Sequence, residues 1–396
     1  MLRVLTLSTL YPSSQRPNFG IFVERQTIGL AARADVELHV VSPRGLPPWP
    51  MSRHPGYRAL AELPSVEQRR GVMVHRPRFL NLPATGGRFH VGAITRALVP
   101  FLTRLRRSFA FDVIDAEFFF PDGPAAVALG RHFGVPVSIK ARGADIHFWG
   151  TASATRERVR EAGRAADGLL AVSGALRADM IALGMPGERI AVHRTGIDRS
   201  LFRPRQRAAA KAALGIAGPL VVSAGALIAR KGHDIVIDAV ARLPGVALRI
   251  AGAGPDHAAL AARIEALGVG DRVALLGPVP HADLPQWFAA ADAMALASAS
   301  EGLANVWVEA LASGTPIVVP AIGGADEAVD RPAAGRMVAR DAGAFAAAIA
   351  ELLASPPASA DTAAAADRFS WDTNSTELHA HLSALVAAGA APQLVG

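Results

Sequence analysis

Two glutamates occupy positions from which their side chains could act on a sugar or a phosphate. Glu301 follows an apolar run, Ala293–Ala297, that predicts a buried strand, and Glu309 falls in a predicted helix that begins near Asn305. A strand, a tight loop and a helix N-terminus leave backbone N–H groups unpaired at the positive end of the helix dipole. We therefore predict a seat for phosphate or sugar oxygens, with one carboxylate on the loop and one in the helix.

The neighbours of Glu309 favour a binding role over a surface role. The segment from Val306 to Ala312 is otherwise apolar, and a partly buried carboxylate needs a hydrogen-bonding partner. A ribose diol is one such partner. The alternative is that Glu301 is a solvated loop acid and Glu309 an ordinary residue of a helix surface.

The segment from 301 to 327 resembles the donor-site signature of retaining GT-B glycosyltransferases of family 4. The resemblance lies in Glu301-Gly302-Leu303-Ala304-Asn305, Glu309-Ala310-Leu311-Ala312, Gly314-Thr315-Pro316-Ile317-Val318, and Gly323-Gly324 with Glu327. It implies that Glu301 holds the hydroxyls of a donor sugar and that Glu309 holds the ribose diol. It also implies that the segment Gly302, Leu303, Ala304 and Asn305 binds the donor.

A lysine in an earlier loop adds positive charge to this half of the chain. Lys231 lies beside Gly232 after a predicted strand, and a lysine in such a place is a compact charge for a phosphate. The resemblance implies that Lys231 contacts the donor diphosphate. The family often adds an arginine where this chain has Ala226, so Arg230 is the candidate for the missing charge. Alternatively, Lys231 is a surface lysine of the loop.

Three further positions enter through the resemblance. Gly277 and Val279 lie in the loop whose backbone contacts the nucleotide base in the family. Gly20 lies in the first long loop, which contacts the donor phosphates and the acceptor in the family, often through paired glycines. Only Gly20 is present here, and a plain turn glycine is the equal alternative.

The pair Arg142 and Asp145 departs from the family pattern. The family commonly has His-Gly-x-Asp here, with the histidine near the primary hydroxyl of the sugar, whereas this chain has Arg142-Gly143-Ala144-Asp145. An arginine can still donate hydrogen bonds, so both residues are candidates for the catalytic site. The alternative is that Arg142 and Asp145 pair with each other.

Composition limits the classes of protein to consider. A chain of 396 residues, 51% hydrophobic and 19% charged, is ordered and long enough for two cores. The absence of cysteine excludes disulfides and thiolate metal sites and fits a reducing compartment. The net charge of +7 invites a nucleic-acid interpretation, but there is no nucleic-acid-binding motif and only two tyrosines are available for stacking. Nucleic acid is therefore excluded as an expected partner.

Met1–Leu10 lacks the features of a signal peptide, so none is expected there. The longest uncharged run, Ala212–Ala229, is broken by glycines and a proline, so it is not expected to span a membrane. A predicted helix over 91–105 is amphipathic, with basic residues on or beside its polar face: Arg96, Arg104, Arg106 and Arg107. Such a helix can dock on anionic lipid, or it can be a normal domain helix with a solvated face. We expect a cytoplasmic protein, with peripheral contact on the inner membrane face as an open alternative.

Alternating strands and helices predict two doubly wound α/β domains with parallel sheets. We place the first domain at 1–197, the second at 198–370 and a returning C-terminal helix within 371–396. The hinge Thr195-Gly196-Ile197-Asp198 resembles the family's crossover. The resemblance implies the GT-B fold, an acceptor-binding first domain, a donor-binding second domain and an active site in the cleft between them. Arg44–Gly56 is predicted as a loop, and Pro356–Thr362 as a linker.

The resemblance implies a retaining glycosyltransferase that moves a sugar from a nucleotide-diphosphate sugar to a hydroxyl of a saccharide or lipid-linked acceptor. It further implies a role in cell-surface polysaccharide or glycolipid synthesis. No cofactor is expected, and no metal, because the sequence has no compact Asp-x-Asp motif or histidine cluster. Gly252-Ala253-Gly254-Pro255 lacks the third glycine of a dinucleotide fingerprint, which weakens a dehydrogenase hypothesis. A sugar-nucleotide epimerase on the same fold and a catalytically degenerate nucleotide-sugar-binding protein remain alternatives.

Overall fold

The computed structural model describes residues 1–390, which form two compact units. The first unit is Met1–Gly196 together with the segment from Trp371 onward, and the second is Ile197–Ser370. The domain limits predicted from the sequence, 197/198 and 370/371, lie within one residue of these divisions. Residues 391–396 of the predicted C-terminal segment lie outside the described residues.

The first unit is built on an eight-stranded sheet with the strand order β10-β9-β8-β7-β1-β2-β5-β4, beside a two-stranded sheet of β3 and β6. Its strands are β1 (Leu2–Leu7), β2 (Val36–Val41), β3 (Arg44–Leu46), β4 (Val66–Arg69), β5 (Val72–His75), β6 (Arg78–Leu80), β7 (Val113–Ala116), β8 (Val137–Ala141), β9 (Gly168–Ala171) and β10 (Ile190–Val192). Its helices are α1 (Ile21–Ala31), α2 (Pro55–Ala61), α3 (His90–Leu105), α4 (Asp122–Phe133), α5 (Arg156–Ala165) and α6 (Gly174–Ala182). Short 3-10 or π turns occur at Met51–Arg53, Asp145–Trp149 and Gly187–Arg189.

All strand pairs of the large sheet are parallel except β4 with β5. Strands β7, β8 and β9 are buried along their whole length, because helices cover both faces of a parallel sheet. Strand β1 pairs with β2 on one side and with β7 on the other. The loops that follow β1 and β7 therefore meet at the carboxyl edge, where the strand order reverses.

The second unit contains a fully parallel sheet of six strands in the order β13-β12-β11-β14-β15-β16. Its strands are β11 (Leu220–Ala224), β12 (Ala247–Ala251), β13 (Val273–Gly277), β14 (Ala293–Ala295), β15 (Ile317–Pro320) and β16 (Gly335–Val338). Its helices are α7 (Arg207–Ala213), α8 (His233–Ala241), α9 (His257–Ala266), α10 (Leu284–Ala290), α11 (Asn305–Ala312), α12 (Ala325–Ala328), α13 (Ala342–Ala354) and α14 (Ser359–Ala364). 3-10 turns occur at Ala229–Lys231 and Pro332–Ala334.

The strand order of the second unit also reverses once, between β11 and β14, which pair with each other. Strands β12 and β13 extend the sheet on one side of this point, and β15 and β16 extend it on the other. Ligands of doubly wound sheets bind outside the carboxyl ends of the strands at such a reversal. The loops that follow β11 and β14 are therefore where a ligand is expected.

The last helix, α15 (Trp371–Ala390), packs on α1 and belongs to the first unit. Leu378 and Leu382 of α15 are buried in one core with Val23 and Leu30 of α1. The helix begins at Trp371, three residues before the predicted start at Asn374. None of the helices in the described part of the chain combines the length and the apolarity that crossing a membrane requires.

Two segments predicted to be irregular contain regular structure. The predicted loop Arg44–Gly56 begins with β3 and runs into α2, and the predicted linker Pro356–Thr362 contains the start of α14. Strands β4, β5 and β6 were not predicted. Strands β3 and β6 could not be predicted because each has only three residues, too few for a periodic pattern. Each is a strand because it pairs with the other.

The docking of α15 on α1 can be tested through Leu382. Leu382 is fully buried, so Leu382→Ala should lower the free energy of unfolding by about 2–5 kcal/mol through lost apolar burial and a residual cavity. Leu267→Ala, at an exposed leucine of the second unit, should change it by less than about 0.5 kcal/mol. Chemical denaturation of the two variants and the wild type measures both values. Equal, small effects would mean that α15 is not packed on the first unit.

Candidate functional site

The loops after β11 and β14 contact each other at the carboxyl edge of the second sheet. The backbone N–H of Ala299 donates to the carbonyl of Arg230 at 2.8 Å. Gly232 has φ +65°, and a Cβ at this position would overlap the carbonyl of Ala297. Glycine is therefore required where the 3-10 turn Ala229–Lys231 passes into α8. This turn holds the side chains of Arg230 and Lys231 beside the second loop.

Three of the predicted site residues converge here: Lys231, Arg230 and Glu301. The ammonium group of Lys231 donates a hydrogen bond to Oε1 of Glu301, and Ser298 Oγ donates to the same oxygen at 2.7 Å. Arg230 Nη1 lies 3.7 Å from Oε1 of Glu301 and donates to the carbonyl of Ser300 at 2.6 Å. The exposed fractions of the Lys231 and Glu301 side chains are 14% and 11%.

This cluster carries two cationic groups and one carboxylate, so it retains a positive charge that suits an anionic ligand. A diphosphate could replace Glu301 as the partner of Lys231, since phosphate oxygens accept hydrogen bonds from ammonium as carboxylates do. Glu301 would then be free to accept hydrogen bonds from hydroxyl groups. The alternative of a fully solvated Glu301 is not what the structure shows, because its carboxylate is mostly buried and paired.

The segment Gly302–Asn305 lies between this cluster and α11. Leu303 and Ala304 are buried, and the carbonyl of Gly302 accepts the N–H of Gly324 at 2.7 Å. Gly323 has φ +50°, and a Cβ there would overlap the carbonyl of Glu301, so the loop after β15 closes on this segment. Ala304 is the N-cap of α11 and has no side chain that could accept the first N–H groups. The N–H of Trp307 donates to the carbonyl of Ala304 at 3.0 Å, so the N–H groups of Asn305 and Val306 are the ones that remain available to a ligand.

Glu309 is buried in α11, with an exposed fraction of 6%. Its Oε1 accepts a hydrogen bond from His281 Nε2 at 2.8 Å, whereas its Oε2 is buried and has no hydrogen-bond partner among the described residues. A buried carboxylate oxygen without a donor costs free energy that a ligand hydroxyl would recover. The prediction of an ordinary helix-surface glutamate is wrong for this reason.

Sequence reasoning did not single out His281, which orients Glu309. It follows the loop that contains Gly277 and Val279, and its ring meets the edge of Phe202 at a centroid distance of 5.1 Å. Gly277 has φ +70°, and its carbonyl accepts the N–H of Gly252 at 2.8 Å. Val279 is half-buried. The only sign of His281 in the sequence was its position just after the loop that the resemblance assigns to the nucleotide base.

Asp145, in the first unit, organises the loop after β8. Its buried carboxylate accepts backbone N–H groups from Arg142 at 2.9 Å, Gly143 at 2.7 Å and Phe119 at 2.9 Å. Burial raises the pKa of Asp145, and these hydrogen bonds act against that rise. The hypothesis that the side chains of Arg142 and Asp145 pair with each other is wrong, because the Arg142 guanidinium pairs with Glu117.

A buried polar network lies around Arg142, and sequence reasoning missed it. Lys140 Nζ donates to Gln26 Oε1 at 2.6 Å and to His193 Nδ1 at 2.8 Å, and Gln26 in turn bonds Glu117. Burial lowers the pKa of Lys140 to about 7. Burial also acts to raise the pKa of Glu117, but Arg142 and Lys140 hold it below its ordinary value. The available signal was a lysine inside the predicted strand that ends at Lys140, where a charged side chain is unusual.

Gly20 is the N-cap of α1, with φ +74°. A Cβ at this position would overlap the carbonyl of Leu10. This close approach accounts for the glycine without any ligand. Gly20 belongs to the first unit, whereas Lys231, Glu301 and Glu309 belong to the second.

Within residues 1–390, no group of three or more histidine, aspartate or glutamate side chains has a geometry that could hold a metal ion. The charged groups of the site instead contact one another: Lys231 and Arg230 both lie beside Glu301, and His281 contacts Glu309.

Family models match both units. Residues 206–369 match the family described as "Glycosyl transferases group 1", and residues 22–201 match "Glycosyltransferase Family 4". Each unit is therefore similar to a glycosyltransferase domain over most of its length. The group 1 match contains the cluster of Lys231, Arg230 and Glu301 together with Glu309, and the family 4 match contains Arg142 and Asp145.

Among curated proteins, the D-inositol 3-phosphate glycosyltransferase of Mycobacterium tuberculosis is 39% identical over 210 residues, which cover 49% of this chain and 44% of that protein. The chain thus matches less than half the length of this relative.

Solved structures extend the likeness to the whole fold. Sucrose-phosphate synthase from Thermosynechococcus elongatus superposes with a TM-score of 0.82 at 20% identity, covering 98% of this chain and all of that one. HepE from Anabaena, in complex with UDP, gives a TM-score of 0.74 at 22% identity, covering 97% of this chain and all of that one. The two doubly wound units of this chain therefore have the predicted GT-B fold.

The acid sensitivity of the second unit can be tested through His233, the first residue of α8. His233 shares a 3.0 Å hydrogen bond with Ser223, and burial lowers the pKa of His233 to about 4. The unfolded chain binds this proton below about pH 6.5 and the folded chain only below about pH 4. Stability is therefore fully present above pH 6.5 and falls as the pH drops toward 4, by at most ~3 kcal/mol from this group.

His233→Asn keeps an amide next to Ser223 and removes the titrating ring, so the loss of stability between pH 7 and pH 4.5 should become smaller. Denaturation midpoints at several pH values measure it, and His257→Asn, at an exposed histidine in the same unit, is the control. If His233→Asn and wild type lose stability equally, His233 is not held neutral by burial.

Proposed function

We propose that this chain is a retaining glycosyltransferase that moves a sugar from a nucleotide-diphosphate sugar to a hydroxyl group of an acceptor. The observation that supports this best is the buried Oε2 of Glu309, which has no hydrogen-bond donor among the described residues. The same unit also holds Lys231, Arg230 and Glu301 in one cluster. A ribose diol would supply donors to Oε2 of Glu309, and a diphosphate linked to a sugar would bind the cluster.

The proposed donor site assigns one task to each group. Lys231 and Arg230, with the free N–H groups at the start of α11, stabilise the negative charge that builds on the leaving diphosphate. Glu301, released from Lys231 by the diphosphate, accepts hydrogen bonds from the donor sugar. Glu309 accepts the ribose hydroxyls on Oε2 while His281 holds Oε1. Gly277 and Val279 present backbone groups to the base.

Retention follows from a front-face reaction. The bond between the anomeric carbon and the diphosphate oxygen breaks, the bond to the acceptor oxygen forms on the same face, and the acceptor proton passes to the leaving phosphate oxygen. This route requires no protein base. Both carboxylates of the donor site have other tasks in this proposal, because Glu301 accepts hydrogen bonds from the donor sugar and Glu309 is held by His281 and binds the ribose.

The first unit supplies the acceptor site in this proposal, and Arg142 is its candidate hydrogen-bond donor, because its Nη1 is buried without a partner among the described residues while its Nη2 pairs with Glu117. The acceptor is a saccharide or a lipid-linked saccharide used in cell-surface polysaccharide or glycolipid synthesis at the cytoplasmic side of a membrane. Neither a metal ion nor an organic cofactor takes part. UDP and UDP-glucose are the first donor probes, because three similar structures of HepE from Anabaena are complexes with UDP, with UDP and glucose, and with UDP-glucose.

Donor binding can be measured by a thermal-shift panel with UDP, GDP, ADP and their sugars. One nucleotide should raise the melting temperature, since a ligand stabilises the folded state by mass action. Glu309→Gln should weaken binding of that nucleotide about tenfold or more, because it removes a charged acceptor. Lys231→Ala should lower transfer by about 10²–10³-fold, by analogy with the loss of one donor to a developing negative charge.

Arg263→Ala is the matched control, because it removes one positive charge of the same unit from an exposed pair with Asp238. It should leave both quantities unchanged. Donor binding without turnover on any acceptor would favour the degenerate binder. No shift with any nucleotide, while the protein is folded, would contradict the donor site.

The stereochemistry of transfer tests the proposed mechanism. With a donor whose sugar is α-linked to the diphosphate, the product should be the α-glycoside, and the coupling constant of its anomeric proton in NMR reports this directly. The same reaction should proceed at an unchanged rate in the presence of a chelator. A β-linked product, or loss of transfer when a single other carboxylate is replaced while donor binding persists, would exclude the front-face route.

A further inference from the structure

The first unit has a cavity away from the residues assigned to the reaction. It has a volume of about 520 Å³ and lies between β6 and the first half of α3. We call it the arginine groove, and its lining is Arg78, Phe79, Leu80, Leu82, Arg88, Phe89, Gly92, Ala93, Arg96, Ala97 and Arg158. None of these residues has a role in the proposed transfer.

Two large apolar side chains of the groove are exposed to water. Leu80 is 53% exposed at the end of β6, and Phe89 is 51% exposed at the N-cap of α3. The lining also includes the small residues Gly92, Ala93 and Ala97 of α3. Adjacent exposed apolar side chains rimmed by polar groups mark an interaction site.

The rim of the groove is positively charged and has no compensating acid. Four arginines contribute to it, and no aspartate or glutamate lines it within residues 1–390. Arg78 donates to the carbonyl of Ala61 at 3.0 Å and Arg158 to the carbonyl of Arg88, so both keep their full charge. The exposed side chains of Arg88 and Arg96 have no hydrogen-bond or ion-pair partner in the described part of the chain.

The arginines of α3 that the sequence grouped together have different surroundings. Ile94, Leu98 and Leu102 are buried and attach the helix to its domain, as a normal domain helix requires. Arg106 donates to the carbonyl of Phe133 at 2.9 Å and lies over the Phe111 ring, so it is part of the fold. Of the four, Arg96 alone lines the arginine groove, while Arg104 and Arg107 are exposed outside it.

We propose that the arginine groove docks this protein on a membrane surface that contains anionic phospholipids. Lipid phosphates would pair with Arg78, Arg88, Arg96 and Arg158, while Leu80 and Phe89 enter the boundary between headgroups and acyl chains. The combination decides between occupants: a soluble anion would leave the exposed leucine and phenylalanine in water, whereas a bilayer surface satisfies the charges and the apolar side chains together. This docking is independent of the proposed transfer reaction.

Cosedimentation with vesicles tests the proposal. Wild-type protein should bind vesicles of phosphatidylcholine in which about one lipid in three is the anionic phosphatidylglycerol. It should bind vesicles of phosphatidylcholine alone only weakly. Arg88→Gln with Arg96→Gln should weaken binding about twentyfold or more, since each arginine near such a surface contributes about fivefold. High salt should weaken it further by screening.

The matched control is Arg104→Gln with Arg107→Gln, which removes the same net charge from the last turn of α3 and the residues just after it, outside the groove. It should weaken binding much less than the groove pair. Leu80→Ser should weaken binding about tenfold through lost apolar burial, while Leu267→Ser, at an exposed leucine of the second unit, should not. Circular dichroism and melting temperature check that each variant is folded.

The outcomes separate the docking from its rivals. Equal losses in the two arginine pairs would show a general effect of net charge and overturn the groove. Equal binding to both kinds of vesicle, or none to either, would also overturn it. Displacement from vesicles by low concentrations of soluble glycerol phosphate would show that the groove takes a free phosphate ester instead. Nucleotide binding is measured separately, so failure of the transfer proposal leaves this test intact.

Discussion

The parallel pairing of β11 with both β12 and β14 is the constraint on which the candidate donor site depends. Because the strand order reverses between β11 and β14, the two loops that leave their carboxyl ends are side by side, although about seventy residues separate them in the chain. Gly232 then brings the backbone of the first loop against Ala297 in the second. The contact between Lys231 and Glu301 is a consequence of this topology and not of a local motif.

Two of the three lysines, Lys140 and Lys231, show how burial changes what one residue type can do. Lys140 lies inside the sheet of the first unit, where burial lowers its pKa to about 7 and where it bonds Gln26 and His193. Its partners are protein groups, so its work is to hold that network together. Lys231 is 14% exposed and bonds a carboxylate on a loop, so a ligand can take the place of its partner. The first lysine is structural, and the second is suited to binding.

Arginine also has two roles in the first unit. Arg142 is directed inward to Glu117, and Asp145 uses its carboxylate on the backbone of the same loop, so both are held by the core. The four arginines around Leu80 and Phe89 are instead uncompensated at the surface. The positive net charge of the chain is therefore not spread evenly over its surface. A positively charged surface can bind an anion where no carboxylate neutralises its arginines, whatever the net charge of the whole chain.

The sequence by itself determined most of the element types and the residues of the candidate donor site. Long apolar runs separated by amphipathic helices predicted two parallel sheets. The order Glu301, Glu309 and Gly314 pointed to the second half as the candidate donor-binding half, because glycines, carboxylates and a helix start have local causes. Tertiary structure alone decided the partners. Short strands such as β3 and β6 exist only through pairing with each other. His281 becomes the partner of Glu309, Glu117 that of Arg142, and Phe89 joins Leu80 at one groove. These contacts join residues distant in the chain, and no local pattern encodes a distance across the fold.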